Sequence, residues 1–183
     1  MEALINSFLL VFAGEMGDKT QLLALILVAR YKKPWTILSA VFIATLLNHA
    51  LASWVGDWLS NQSSPEALRW GLALTFFVFG IWILFPDKSE DIKSDGRRGA
   101  FLTTLIAFFL AEMGDKTQLA TVALGARYSA PVIVTIGTTL GMLASNALAV
   151  FLGNALLKRI PMTWVRLVAC GLFMGFGLWL LLA

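Results

Sequence analysis

Two acidic pairs in the sequence are spaced to hold a cation. Glu15 and Asp18 lie three positions apart, as do Glu112 and Asp115, so on a helix each pair projects its carboxylates from one face. All four fall inside apolar stretches, where a single charged side chain at the bilayer centre costs about 2.5–3.5 kcal/mol on insertion scales. Lys19 and Lys116 adjoin the two aspartates, but neighbouring helical positions point about 100° apart and do not face each other. Pairing across the chain stays open. Even with both lysines paired, four carboxylates outnumber two ammoniums by two charges, which a divalent cation or two protons would balance. Carboxylate, carbonyl and hydroxyl oxygens suit hard ions such as Mg2+, Ca2+ and Mn2+, and the absence of cysteine from the set disfavours Cu(I) and Zn2+.

Further polar residues stand ready to support these acids. Thr20, Gln21, Thr117 and Gln118 extend each polar patch by up to two helical turns and could complete coordination or bond to ligating carboxylates. Asn48 and Asn146 sit in the middle of other apolar stretches and rank behind the acids as ligands. His49 has no histidine counterpart and is expected to be a packing residue with a satisfied hydrogen bond, although its ordinary titration range would also allow proton handling. Gly14, Gly17 and Gly114 mark where a helix could be interrupted, freeing carbonyls for a ligand; close helix packing is the alternative role for such glycines. Ala111 replaces Gly14 in the second segment, which leaves room for two unlike breaks. Asp57, near a span end, is set outside the site.

The acidic segments belong to a larger duplication. Glu15 to Leu22 recurs letter for letter as Glu112 to Leu119, ninety-seven positions on. The same offset relates Arg30-Tyr31 to Arg127-Tyr128, Pro34 to Pro131, Gly56 to Gly153, Arg69 to Arg166, Gly80 to Gly177 and Trp82 to Trp179. The units are residues 1–85 and 99–183, joined by a charged linker, 86–98, whose acids Asp87, Glu90, Asp91 and Asp95 lack the spacing of an EF-hand.

Composition says which solvent surrounds these units. The 183 residues are 58% hydrophobic and 14% charged, with a mean hydropathy of +0.79, outside the range of a soluble domain. Apolar stretches at about 3–29, 35–59, 67–85, 99–126, 131–157 and 162–182 approach or exceed the roughly 20 residues that cross a bilayer. The expected fold is an all-α integral membrane protein of six transmembrane helices. An odd number of spans per unit makes the second copy enter from the opposite side, giving two inverted three-helix repeats whose shared site lies at mid-depth. No Lys or Arg precedes Lys19, so the first span is expected to be retained rather than cleaved as a signal. Of the 14 basic residues, ten fall in loops on one side and only Arg69 and Arg127 on the other, which places both termini away from the cytoplasm, in the inner (plasma) membrane. The net charge of +3 thus reflects topology and not nucleic-acid binding. Trp35, Trp54, Trp58, Trp70, Trp164 and Tyr31 fall near span ends, as an interfacial belt requires. Cys170, without an intramolecular partner, reads as a packing residue.

The doubled Glu-x-Gly-Asp-Lys-Thr segment, at Glu15–Thr20 and Glu112–Thr117, resembles the motif of the cation/proton exchanger family that includes Golgi and chloroplast manganese and calcium transporters. The resemblance spans nearly the whole chain. It implies that Glu15, Asp18, Glu112 and Asp115 bind the transported ion, and that bacterial members export Mn2+ from the cytoplasm. The expected mechanism is alternating access, with the two repeats rocking around the acidic site and protons resetting it. A Ca2+/proton antiporter and a cation channel are the alternatives. No HExxH or Gly-x-Ser-x-Gly motif points to an enzyme. No cofactor is expected, the partners are the ion and the lipid, and a homodimer is left open.

Overall fold

The computed structural model describes residues 1–85, 99–157 and 161–182; the charged linker lies outside the described residues. Within them every regular element is helical: α1 (Glu2–Glu15), α2 (Lys19–Tyr31), α3 (Pro34–Gln62), α4 (Pro65–Trp82), α5 (Ala100–Glu112), α6 (Lys116–Tyr128), α7 (Pro131–Leu157) and α8 (Met162–Leu182). The first and fourth apolar stretches are therefore each two half-length helices. With 14 and 13 residues in α1 and α2, and 13 each in α5 and α6, each spans about 20 Å at 1.5 Å per residue. Three helices, Pro34–Gln62, Pro131–Gly153 and Thr163–Leu182, are long and apolar enough to cross a membrane unaided.

Local sequence sets the boundaries in the same way in both copies. Lys32 and Ser129 adopt the left-handed conformation, with φ of 53° and 44°, and end α2 and α6. A proline two residues later, Pro34 or Pro131, then opens α3 or α7, where its missing N–H costs nothing and its fixed φ suits the helix. Ser64 caps α4 by accepting from the Ala67 N–H at 3.3 Å, with Pro65 following. Inside α7, Gly153 departs from helical geometry with φ 66°.

The two halves are interleaved. α1 packs on α7 and, correspondingly, α5 packs on α3; α2 meets α7, α6 meets α3, and α4 lies against α8. The contacts are reciprocal at the level of residues. Tyr31 donates to Thr103 Oγ1 at 3.3 Å, while Tyr128 accepts from Asn6 at 2.7 Å, the two pairs being related by the sequence offset. Phe76 meets its own counterpart Phe173 at 6.0 Å between ring centroids. A methyl on Gly80 would touch Met174, and one on Gly177 would touch Phe77. Each half thus takes its main helix partners from the other.

Small residues let the helices approach this closely, as packing in lipid favours. A Cβ on Gly125 of α6 would run into the backbone of Ser53 on α3, and one on Gly56 of α3 into the carbonyl of Val122 on α6. Outer faces carry exposed apolar side chains such as Leu51, Leu74, Leu110 and Leu178, suited to acyl chains. Trp35, Trp54, Trp58, Trp70 and Trp164 are exposed as well. Gly125→Ala should destabilise the purified protein by about 1–3 kcal/mol through overpacking. Gly71→Ala, whose added methyl meets nothing within 4 Å, should be neutral or stabilising by up to about 1 kcal/mol. Thermal unfolding in detergent checks the opposite signs; equal midpoints for the two variants would contradict the close α3–α6 approach.

Candidate metal site

Each broken helix turns at the acidic segment. After Glu15, Met16 is extended at φ −65°, ψ 116°, Gly17 takes φ 78°, and Asp18 opens α2 at φ −86°, ψ 172°. The second copy repeats this, with Met113 at −67°, 117°, Gly114 at φ 77° and Asp115 at −82°, 176°. The Asp18 N–H donates to the Glu15 carbonyl at 3.2 Å, and that of Asp115 to the Glu112 carbonyl at 3.3 Å. This is a type II turn, which demands positive φ at its third residue and so selects glycine there. Gly14 lies inside α1 and takes no part in the turn; its replacement by Ala111 leaves the second break unchanged.

The repeated geometry of the turn has a side-chain clasp. Gln21 Oε1 accepts the Gly17 N–H at 2.9 Å, and Gln118 Oε1 accepts the Gly114 N–H at 2.6 Å. The glutamines, expected as possible supports for coordination, are placed to close the breaks. Gln21 also donates to the Ser145 carbonyl at 2.8 Å and to Ser145 Oγ at 2.6 Å. At the matching position, Asn48 donates to the Phe109 carbonyl at 3.0 Å, near the end of α5. Thus α7 steadies the break in the first half and α3 the one in the second.

The turns bring three of the four acids together. Ligand oxygens of Glu15, Glu112 and Asp115 all lie within 4.8 Å of one another, and all three residues are buried. Two oxygens on opposite sides of one Ca2+ ion lie about 4.6–5.2 Å apart, so this spacing admits a single ion. The fourth acid, Asp18, acts electrostatically on both glutamates and pairs with Lys116 across the halves at 3.7 Å. The mirror pair is looser: Lys19 acts on Asp115 electrostatically, without an ion pair among the described residues.

Hydroxyls aim the glutamates. Thr20 donates to Glu15 Oε2 at 2.9 Å and Thr117 lies 3.3 Å from Glu112 Oε2. Thr117 also approaches both Asp115 oxygens, at 3.0 and 3.1 Å, and its one proton serves a single acceptor at a time. Asp115 additionally accepts the Gln118 N–H at 2.8 Å, capping α6. Both Oε1 atoms, of Glu15 and Glu112, are buried without a hydrogen-bond partner among the described residues, as are Oδ1 of Asn48 and Asn146. The Asn146 amide nitrogen donates to the Met142 carbonyl at 3.1 Å, so in both asparagines the carbonyl oxygen is the end left over. Buried acceptors with no donor are costly in a protein interior, and a cation satisfies acceptors where another donor is absent.

Sequence reasoning left several of these relations unread. The Asp18–Lys116 pair joins halves whose relative placement was not known, and Ser145 carries no signal beyond its match with Asn48. His49 is fully buried, but neither ring nitrogen has a hydrogen-bond partner among the described residues, contrary to the expected satisfied histidine. Cys170 is partly buried and free.

Calorimetric titration of the purified chain with Mn2+ should show binding lost in Glu15→Gln and Glu112→Gln. Thr20→Val should weaken it by about 10–100-fold, the usual effect of removing a residue that orients a ligand. Unchanged affinity in both glutamine variants would separate the acidic cluster from metal binding.

Comparison with known proteins identifies the family. Residues 3–91 and 100–183 match the profile of a family described as divalent cation/proton antiporter GDT1. A protein of Vibrio cholerae serotype O1 named "Putative manganese exporter" is 46% identical over 179 residues, covering 97% of this chain and 90% of that protein. Two Arabidopsis thaliana proteins, GDT1-like protein 3 and GDT1-like protein 5, are 29% and 28% identical, covering 96% and 97% of this chain and 69% and 94% of their own lengths. No solved structure matches. The chain belongs to the divalent cation/proton antiporter GDT1 family, a family of transporters and not of enzymes.

Proposed function

We propose that this chain exports Mn2+ from the cytoplasm in exchange for protons, by alternating access. The observation that carries the reading is the convergence of Glu15, Glu112 and Asp115, two of them with an unpartnered carboxylate oxygen, in a buried site built from both halves. Such a site holds either a doubly charged ion or protons, and a carrier that exchanges one for the other returns without moving bare charge through lipid. The name of the Vibrio cholerae relative supports Mn2+ as the cargo and export as the direction. Ca2+ has the same preference for oxygen and remains the competing cargo.

In this reading α1 with α2, α5 with α6, and each of α3, α4, α7 and α8 make six crossings of the inner membrane. The reciprocal contacts between matching residues support a two-fold axis in the membrane plane, as an inverted repeat gives. Both termini then lie on the non-cytoplasmic side.

The two acidic segments are identical in sequence from Glu15 to Leu22 and Glu112 to Leu119, yet their surroundings differ. Asp115 joins the glutamates while Asp18 is held by Lys116; Gln21 is buried against Ser145 while Gln118 is partly exposed. We read these as the two roles that the copies exchange during transport. In the opposite state Lys19 would hold Asp115, and Asp18 would join the glutamates. In this reading the two glycine turns, where each pair of half-helices meets, are the points at which the exchange would pivot.

Reconstituted liposomes test the function. Mn2+ flux should drive proton movement in the opposite direction, respond to an imposed pH gradient, and compete with Ca2+ more than with Mg2+. Metal flux that neither moves protons nor responds to pH would remove the exchange, and preference for Ca2+ over Mn2+ would reassign the cargo.

A further inference from the structure

The two basic residues that the charge count leaves alone on the sparsely charged side come together in the fold. Arg69, on the second turn of α4, and Arg127, at the end of α6, line one cavity of about 280 Å³ with Pro65, Leu68, Leu72 and Leu180. No acid lines it, and among the described residues neither arginine forms an ion pair. The nearest acid in sequence, Glu66, is exposed and likewise makes no ion pair there.

Arg127 is held in place. Its guanidinium lies over Trp179, 5.0 Å from the ring centroid, and 5.9 Å from that of Tyr128, stacking that fixes its plane. Its Nε is buried with no hydrogen-bond partner among the described residues. Two like charges facing one cavity repel, and an orphaned guanidinium donor wants an acceptor. A phosphate oxyanion answers both, since its oxygens accept paired N–H donors from guanidinium groups. The three leucines offer apolar wall beside the charges, which a free ion would not use. The cavity also lies where α4 begins and α6 and α8 end, and in a six-span arrangement those ends meet the headgroup layer.

We propose that Arg69 and Arg127 bind the phosphate of an anionic phospholipid, with the headgroup between the guanidiniums and the start of an acyl chain against Leu68, Leu72 and Leu180. The site is separate from the acidic cluster and does not depend on which ion is carried.

Native mass spectrometry of the full chain in detergent, titrated with phosphatidylglycerol, tests this. Wild-type protein should retain phosphatidylglycerol in preference to phosphatidylcholine, and Arg69→Gln/Arg127→Gln should lose about thirtyfold in affinity, from about fivefold per arginine. Lys32→Gln, a basic residue outside the cavity, should bind as the parent does. Since Arg127 packs on Trp179, the exposed Arg69→Gln alone gives a folded variant that should still weaken binding. Equal phosphatidylglycerol retention by Arg69→Gln, the double variant and the parent would overturn the site. Thermal stabilisation by inorganic phosphate equal to that by phosphatidylglycerol would overturn the lipid as its source.

Discussion

Like charges gathered out of water are the constraint on which this molecule is built. Glu15, Glu112 and Asp115 place carboxylate oxygens within 4.8 Å of one another in a fully buried setting. Ionised and unscreened, each pair at that distance would repel by about 3–4 kcal/mol even at an effective dielectric near 20. A membrane bundle of marginal stability does not tolerate that as a resting state. In the proposed reading a cation or protons complete the cluster, and the remaining structure holds it in place.

The support follows from simple backbone chemistry. A glycine with positive φ reverses each helix directly after its glutamate, so the aspartate can start the next helix beside it. Glutamine closes the turn, threonine points the glutamate, and asparagine or serine from the opposite half ties the broken end to a continuous helix. Non-helical backbone at such depth persists only when packed in protein or lining a cavity. Interleaving supplies that packing: α3 covers α5 and α6, and α7 covers α1 and α2. The same arrangement makes folding of one half without the other unfavourable, since most of its partners would be missing.

Much of this was legible from residues alone. The duplicated Glu-Met-Gly-Asp-Lys-Thr-Gln-Leu pointed to the acids that the fold brings together, and Gly17 and Gly114 named the interruptions. What could not be read were relations across the duplication. Sequence offset pairs Asp18 with Asp115, but only packing reveals that Asp18 faces Lys116. The identical letters also concealed the asymmetry, since sequence symmetry cannot say which copy of a residue does which task at a given moment. The polar residues Gln21 and Gln118 were visible as candidates, whereas their bond to a glycine N–H depends on the turn itself. His49 shows the reverse case, a buried ring whose satisfied hydrogen bond was expected and is not formed.

The central claim is that one metal ion sits between the two halves on oxygens from both. Anomalous diffraction from crystals grown in lipid with Mn2+, collected on either side of the manganese edge, examines that position directly. The account requires a single peak within bonding distance of Glu15, Glu112 and Asp115. A clear peak held elsewhere in the molecule, with these three carboxylates turned from one another, would contradict it.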